Sequence, residues 1–570
     1  MTDGVGSVPG HRPGTPRAAV AHPDPGGAVS DLSAGPADAA AGLAVRGADA
    51  VDRSASASIR DALLARDVPA RLAAKDPTLW GPGAETGAKA RLGWVDTHRR
   101  SRELLPQLAE LTEELADLEH VVLAGAGGSA LAPEAIARTL GRPLTVLDTA
   151  DPGQVRAALA DRLDRTVVVL SGGSATVETD SHRRAYWHAF LDAGMTEAEA
   201  ARHFVVVTDP GSPLEAVAAE MGVVTIFADP DVSGRYSALT AFGLAPSALA
   251  GVAVADLLDD ADALADSLGR DRDNPGLALG VALGAAATTG RGTVALVPDG
   301  TGIDGLGDWA EQLLAESTGG AGVGILPVAV ESPDAPGATG PGLLTVSYGG
   351  ALGPAVAPPA AADVAVNGPL GAQFLAWEYA SAIAAAVLGV DPFDQPDGAG
   401  SEEQAARILA TGPAAETPSF TEGAIEVYAP AGAPADLAGT LRWLLDGLTD
   451  DGYLAATAYL DRQADAAVAG LRPLLARATG RPVTFGWGPR GRHSTGQHHR
   501  GGSHLQVTGA VTDDLPVPGR PYTFGELQAA QAAGDRQALA GRGRPVLRLH
   551  LTERAAGVAQ LLDAAGRTRT

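Results

Sequence analysis

From residue 120 onward the chain alternates short apolar, β-branched runs with longer segments whose apolar positions recur every three or four residues. Residues 120–140, "HVVLAGAGGSALAPEAIARTL", read as a strand, a glycine turn and a helix. Further strand runs are "PLTVLDTA" (143–150), "RTVVVLSGG" (165–173), "HFVVVTDPG" (203–211) and "VVTIFADP" (223–230). Runs this uniformly apolar suit strands buried on both faces, and their alternation with helices predicts a doubly wound parallel sheet that closes near residue 270. A second unit of the same kind opens with "NPGLALGVALGAAATTGRGTVALVPDG" (274–300) and continues through "VGILPVAV" and "LLTVSYGG". Before residue 119, "ASIRDALLARDVPARLAAK" and the stretch 88–118 carry helical spacing. Residues 1–48 are rich in glycine, proline and alanine and read as a disordered extension. Beyond about residue 410, "ADLAGTLRWLLDGL" and residues 455–479 read as helices, and "PVTFGWG", "HLQVTGA" and "PVLRLHL" as strands. The expected organisation is α/β: an extension over 1–48, a helical section over 49–118, and two doubly wound parallel-sheet domains over 119–270 and 271–410. The C-terminal helices and strands of 411–570 are expected to complete the second domain.

Open parallel sheets bind ligands beyond the carboxyl ends of their strands. Gly125, Gly127, Gly128 and Ser129 follow the first strand of the first sheet, and the stretch Ser171-Gly172-Gly173-Ser174-Ala175-Thr176 follows the third. Two glycines and three hydroxyls at a strand-to-helix junction fit an anion cradle, in which backbone and hydroxyls donate to a phosphate at a helix N-terminus. They equally fit a tight turn with a Ser/Thr cap, the simpler reading of that stretch alone. "GAGGSA" lacks the third glycine of a dinucleotide fingerprint, which disfavours a nicotinamide cofactor.

Composition narrows the partners. A formal charge of −26 argues against nucleic acid, whose phosphates need a basic surface, but leaves room for a small phosphorylated ligand in a local donor pocket. Zero cysteines remove disulfides, thiolate catalysis and cysteine metal sites. No apolar run is long enough to span a membrane, and the N-terminus does not read as a secretory signal, so the cytoplasm is the expected location. Lysine occurs only at Lys75 and Lys89; every other basic side chain, histidine apart, is arginine. His498, His499 and His504 lie close in sequence, but no carboxylate pattern accompanies them, so no metal is expected.

The segments "GAGGSALAPE" (125–134), "SGGSATVETDSHRR" (171–184), "VTDPGSPLE" (207–215), "SGRYSALTAFGLAPS" (233–247), "WAEQLLAESTG" (309–319), "GPLGAQFLAWEYA" (368–380), "DPFDQPD" (391–397) and "HSTGQ" (493–497) stand in long register. Together they resemble the glucose-6-phosphate isomerases of GC-rich bacteria, built from two sugar-isomerase (SIS) domains. That resemblance implies reversible aldose–ketose isomerisation of glucose 6-phosphate and fructose 6-phosphate through a cis-enediolate. It also implies a homodimer that needs no metal or organic cofactor. Glu316 matches the family's base, Arg235 the arginine beside the enediolate, and His493 looks like the ring-opening histidine. Gly127, Gly128 and Ser129 match the sugar-contacting turn, and Ser171, Ser174 and Thr176 fall in the phosphate loop. Gln312 lies one helical turn before Glu316, so both are placed to face one pocket.

The chain also departs from the family pattern. Gly172 and Gly173 stand where the phosphate loop usually has lysine and serine, Ala130 replaces a serine, Gly320 takes a lysine's place, and no lysine follows Pro396. His493 follows "DPFDQPD", the reverse of the order in other branches, and Arg500, in "GQHHRGG", is the closest later substitute for the missing lysine and a candidate substrate-binding residue. Removing one charge-assisted hydrogen bond weakens an anion's grip by about 1.5–3 kcal/mol. Three readings remain open: the isomerase itself, a paralogue turned to another sugar, and a catalytically impaired SIS protein that binds a sugar phosphate.

Overall fold

The computed structural model describes residues 37–40, 42–173, 176–319, 324–351, 362–394, 398–412, 414, 416–493, 502–544 and 546–568. Three sheets organise them. The first holds β3 (His120–Gly125), β4 (Thr145–Leu147), β5 (Thr166–Ser171), β6 (Phe204–Thr208) and β7 (Val224–Phe227), in the order β4-β3-β5-β6-β7 and parallel throughout. β3, β5 and β6 are buried at every position, as their unbroken apolar runs predict.

The second sheet is ordered β1-β2-β11-β10-β8-β9, from β1 (Ala37–Ala40), β2 (Leu43–Arg46), β8 (Thr293–Pro298), β9 (Leu326–Ala329), β10 (Leu343–Gly349) and β11 (Val364–Asn367). Its last four strands are parallel, and β2 joins β11 antiparallel. The hairpin of β1 and β2 falls inside the stretch 1–48 expected to be a disordered extension, so residues 37–40 and 42–48 depart from that expectation, while residues 1–36 lie outside the described residues. Leu43 and Val45 are buried against the sheet, enough apolar anchorage to hold an otherwise small-residue segment.

A helix almost entirely buried, Leu370–Leu388, packs between the helices Val254–Ala265, Pro275–Thr288 and Leu306–Thr318. Its apolar surface runs all round, as burial on every side requires. Gly276, Gly280 and Gly284 line the contact: a Cβ on any of them would come within 2.9 Å of Tyr379, Ile383 or Val387. The alanine and glycine content is thus used here to bring backbones close.

The C-terminal expectation needs correction. Residues 420–551 do not extend the second sheet; they form a third, ordered β12-β13-β17-β16-β14-β15, with a separate hydrophobic core. Its strands are β12 (Phe420–Glu422), β13 (Ile425–Tyr428), β14 (Tyr453–Tyr459), β15 (Val483–Trp487), β16 (Gly502–Gly509) and β17 (Val546–Leu551). Residues 455–459, expected to be helical, lie within β14, because pairing with β15 and β16 overrides a stretch of alanines that local propensity would make helix. Among the described residues no helix is long and apolar enough to cross a membrane.

Candidate active site

In the first sheet the chain steps outward from β3 to β4, then crosses back to β5 on the other side. The connections leaving β3 and β5 therefore diverge, and a crevice opens at their carboxyl ends. A cavity of about 360 Å³ lies there, lined by both glycine turns, by Ser233, Gly234 and Arg235, and by Gln312 and Glu316.

The glycines are required by close approach. Gly127 has φ +59° and ψ −135°, a conformation that side chains disfavour, and it leads directly into the helix Gly128–Thr139. At Gly128 a Cβ would fall 1.9 Å from the carbonyl oxygen of Gly234. The first glycine turn and the Gly234–Tyr236 turn are thus in backbone contact, which sets Arg235 at the cavity wall. Ser129 Oγ donates to the carbonyls of Ala126 (2.9 Å) and Ser171 (3.2 Å), tying the turns after β3 and β5 together.

Arg235 and Glu316 are both buried, with Arg235 Nε 3.0 Å from Glu316 Oε2. Arg235 Nη1 also donates to the backbone carbonyls of Glu316 (2.6 Å) and Pro392 (3.0 Å). On the other carboxylate oxygen, Gln312 Nε2 donates to Glu316 Oε1 at 3.0 Å. Gln312 and Glu316 sit four residues apart on the helix Leu306–Thr318, so one face of that helix delivers both. The Glu316 carboxylate is held between a guanidinium and an amide, so its direction is set.

In the second turn Ser171 is buried at the end of β5. The Gly172 N–H continues the ladder to Val207 at 3.1 Å, so it is committed to β6 and cannot donate to an anion. Thr176 caps the helix Val177–Asp192, its hydroxyl accepting from the Thr179 N–H at 3.2 Å. The simpler reading of Thr176 is therefore correct as far as its hydroxyl goes, while the helix N-terminus still faces the cavity and favours negative charge. Ser174, Arg500, Gly320 and the side chain of His493 lie outside the described residues; Arg490–His493 forms a short 3-10 turn.

Residues without a sequence-derived role also line the cavity. Asp209 follows β6, and its Oδ2 would lie 2.8 Å from a Cβ at Gly173. Burial pushes the Asp209 carboxyl up from its ordinary 3.8, with Arg91 opposing and Asp229 adding to the rise. Arg91, Glu178, Phe393 and Glu402 complete the wall. Glu178 accepts a hydrogen bond from Gln531 of the helix Phe524–Gly541, so the C-terminal segment reaches the site. Asp209 is within reach of the strand-end rule, since β6 lies next to β5; the others come together only by folding. His504, by contrast, is a core residue: it lies on β16 edge-on to Tyr453, and burial lowers it to about 3.

Ser171 Oγ, Ser233 Oγ, Gln312 Oε1 and Asp209 Oδ1 are buried and have no hydrogen-bond partner among the described residues. All four residues line this one cavity. Unused polar atoms cost about 1–3 kcal/mol each when buried, and their convergence suits a polyhydroxylated ligand.

Residues 111–321 match the phosphoglucose isomerase family model, and that span includes Gly127, Ser171, Asp209, Arg235, Gln312 and Glu316. The chain is 34% identical over 219 residues to a probable glucose-6-phosphate isomerase of Haloarcula marismortui, covering 37% of this chain and 50% of that one. It is 30% identical over 258 residues to the glucose-6-phosphate isomerase of Carboxydothermus hydrogenoformans, covering 41% and 54%. The chain thus spans about half the length of the curated relatives it matches. In fold it is similar to a hypothetical protein of Thermus thermophilus, with a TM-score of 0.53 at 23% identity, covering 62% of this chain and 96% of that one. Over residues 111–321, this chain is similar to the phosphoglucose isomerase family.

Proposed function

We propose that the cavity interconverts an aldose phosphate and its ketose, with glucose 6-phosphate and fructose 6-phosphate as the substrate pair. The observation that carries this reading is Glu316 held between Arg235 and Gln312 at the wall of a cavity floored by two hydroxyl-bearing glycine turns. Glu316 takes the proton next to the substrate carbonyl and returns it to the neighbouring carbon. The Arg235 guanidinium, 3.0 Å from that carboxylate, stabilises the enediolate oxygens. Gly127, Gly128 and Ser129 contact the sugar chain, Ser171 and the helix at Val177 face its phosphate, and His493 opens the ring. No cofactor enters this scheme. A homodimer in the cytoplasm belongs to the same proposal and rests on resemblance.

The test is conversion of fructose 6-phosphate to glucose 6-phosphate, coupled to a glucose-6-phosphate dehydrogenase, beside Glu316→Gln. Loss of the base is expected to lower kcat by about 10²–10⁴-fold. Removing one member of a buried ion pair costs about 3–5 kcal/mol, so circular dichroism must show the variant folded. Wild-type protein that turns over no faster than folded Glu316→Gln sinks the proposal.

A second reading, isomerisation of a sugar with a different terminal group, is favoured by the Asp209 carboxyl beside Gly173 and the committed Gly172 N–H. It predicts that fructose competes with fructose 6-phosphate in kcat/KM.

A further inference from the structure

The third sheet is joined to the catalytic region by a buried cluster of two arginines and two carboxylates. Arg462 lies just beyond β14, and Arg490 opens the Arg490–His493 turn three residues beyond β15. Arg462 donates to Glu134 Oε1 (2.6 Å) and Asp148 Oδ1 (2.9 Å). Arg490 donates to the other oxygens of the same two carboxylates, Glu134 Oε2 and, at 2.9 Å, Asp148 Oδ2. Its second terminal nitrogen stands 3.9 Å from Asp308. Side-chain exposure is 12% for Glu134, 2% for Asp148 and 11% for Arg490, so the pairs are largely shielded from water and salt. Burial opposes the charges of Glu134, Arg462 and Arg490 and is outweighed, whereas at Asp308 burial prevails and pushes the carboxyl up. Glu134 is held well below the usual carboxylate range by Arg490 and Arg462, and Arg490 is pushed above its ordinary value by Glu134, Asp148 and Asp308.

Each partner belongs to an element that carries site residues or ends at the site. Glu134 is on the helix whose first turn holds Gly128 and Ser129. Asp308 is on the helix of Gln312 and Glu316, one turn earlier. Asp148 directly follows β4, the neighbour of β3. One guanidinium therefore reaches both site helices while its own backbone begins the turn containing His493.

We propose that Arg490 is a positioning residue, its Nη1 on Glu134 and Asp148 and its Nη2 toward Asp308 fixing where the Arg490–His493 turn lies against the helices that carry Ser129 and Glu316. The inference rests on the isomerase reading above, in which His493 opens the ring. Arg490 then serves ring opening, and the proton transfer at Glu316 proceeds without it. Lysine keeps the charge but has one nitrogen, so it cannot meet Glu134 and Asp148 and also present a second nitrogen toward Asp308, and the link to the helix of Glu316 is lost.

A pair of substrates separates the two steps. Fructose 6-phosphate closes through its 5-hydroxyl; 5-deoxyfructose 6-phosphate lacks that hydroxyl, its 6-oxygen is esterified, and it stays open. Incorporation of solvent deuterium at C1, followed by NMR, reads proton transfer on either. Arg490→Lys and Arg490→Met are compared with wild type and with Arg462→Lys, which alters the same cluster away from the turn. Arg490→Lys is expected to lose on the order of 10- to 100-fold on fructose 6-phosphate, the scale of a misplaced group, while the deoxy substrate changes by less than about twofold. Arg462→Lys should treat both substrates alike. Should Arg490→Met fail to fold, Arg490→Lys alone decides. Equal loss on both substrates, or no loss on either, overturns the positioning role. Wild-type protein that exchanges neither substrate overturns the isomerase reading instead, and the ring-opening role with it.

Discussion

One methyl group at Gly128 tests how tightly the site depends on two turns in contact. In Gly128→Ala the new Cβ would stand 1.9 Å from the Gly234 carbonyl oxygen and 2.4 Å from its carbon. Real Cβ contacts lie beyond 3.0 Å, so the Gly234 carbonyl must retreat by about 1 Å. Gly234 and Arg235 are consecutive in one 3-10 turn, so the arginine moves with it, away from Glu316 Oε2 at 3.0 Å and from the Glu316 carbonyl at 2.6 Å. If Arg235 acts as proposed, a displacement of that size costs on the order of 10²-fold in kcat, and the overpacking itself about 1–3 kcal/mol of stability. Helix propensity offers no competing explanation, because alanine is the better helix former. The matched control is Gly234→Ala: its Cβ would meet no protein atom within 4 Å and its φ is not positive, so its melting temperature should stay at the wild-type value and its loss in kcat should be smaller than that of Gly128→Ala. The assay is the coupled isomerisation at saturating fructose 6-phosphate, with melting temperature followed in parallel. Wild-type kcat in Gly128→Ala, or equal losses in the two variants, would refute the argument that this contact places Arg235.

Further expectations concern stability. Glu378 is fully buried within Leu370–Leu388, both carboxyl oxygens lack a partner among the described residues, and burial raises its pKa well above 4.5. The folded chain thus keeps a proton that the unfolded chain releases above pH 4.5, and stability falls as pH rises past that value. Glu378→Met should melt higher than wild type at pH 7, by the equivalent of about 1–3 kcal/mol, with the gain shrinking toward pH 4.5; a lower melting temperature would reveal a partner the carboxyl needs. Asp180 behaves in the opposite sense: burial works to raise it, but Arg184, Arg520 and Arg183 hold it at about 2. Its contribution, about 2 kcal/mol, is present above pH 3.8 and disappears as pH falls through 2. Asp180→Asn should flatten that acid limb in a denaturation series, and an unchanged limb would assign acid sensitivity elsewhere.

Much of the candidate site is readable without the structure because its signals are local. The runs of β3, β5 and β6 announce buried parallel strands, and the divergence of the chain between β3 and β5 puts their turns around one crevice. The spacing of Gln312 and Glu316 places both on one helical face, and the observed 3.0 Å hydrogen bond between them follows. The role of Thr176 as a helix cap is likewise open from its position at a strand-to-helix junction. Asp209 carries a weaker mark of the same kind, its place directly after a strand that neighbours β5.

Other features depend on segments far apart in the chain. Nothing within residues 453–459 distinguishes a strand from an alanine-rich helix; the partners at β15 and β16 decide it. The hairpin at 37–46 is strand because β11, more than 300 residues later, offers an open edge. Arg462 and Arg490 look like two surface arginines among many, and become a clamp only where Glu134 and Asp148, 314 to 356 positions earlier, are buried against them. Apolar periodicity and turn chemistry act over a few residues, so they are written into any short window. Strand pairing across sheets and the burial of matched charges require long loops to close first, and only the folded chain brings those partners within reach.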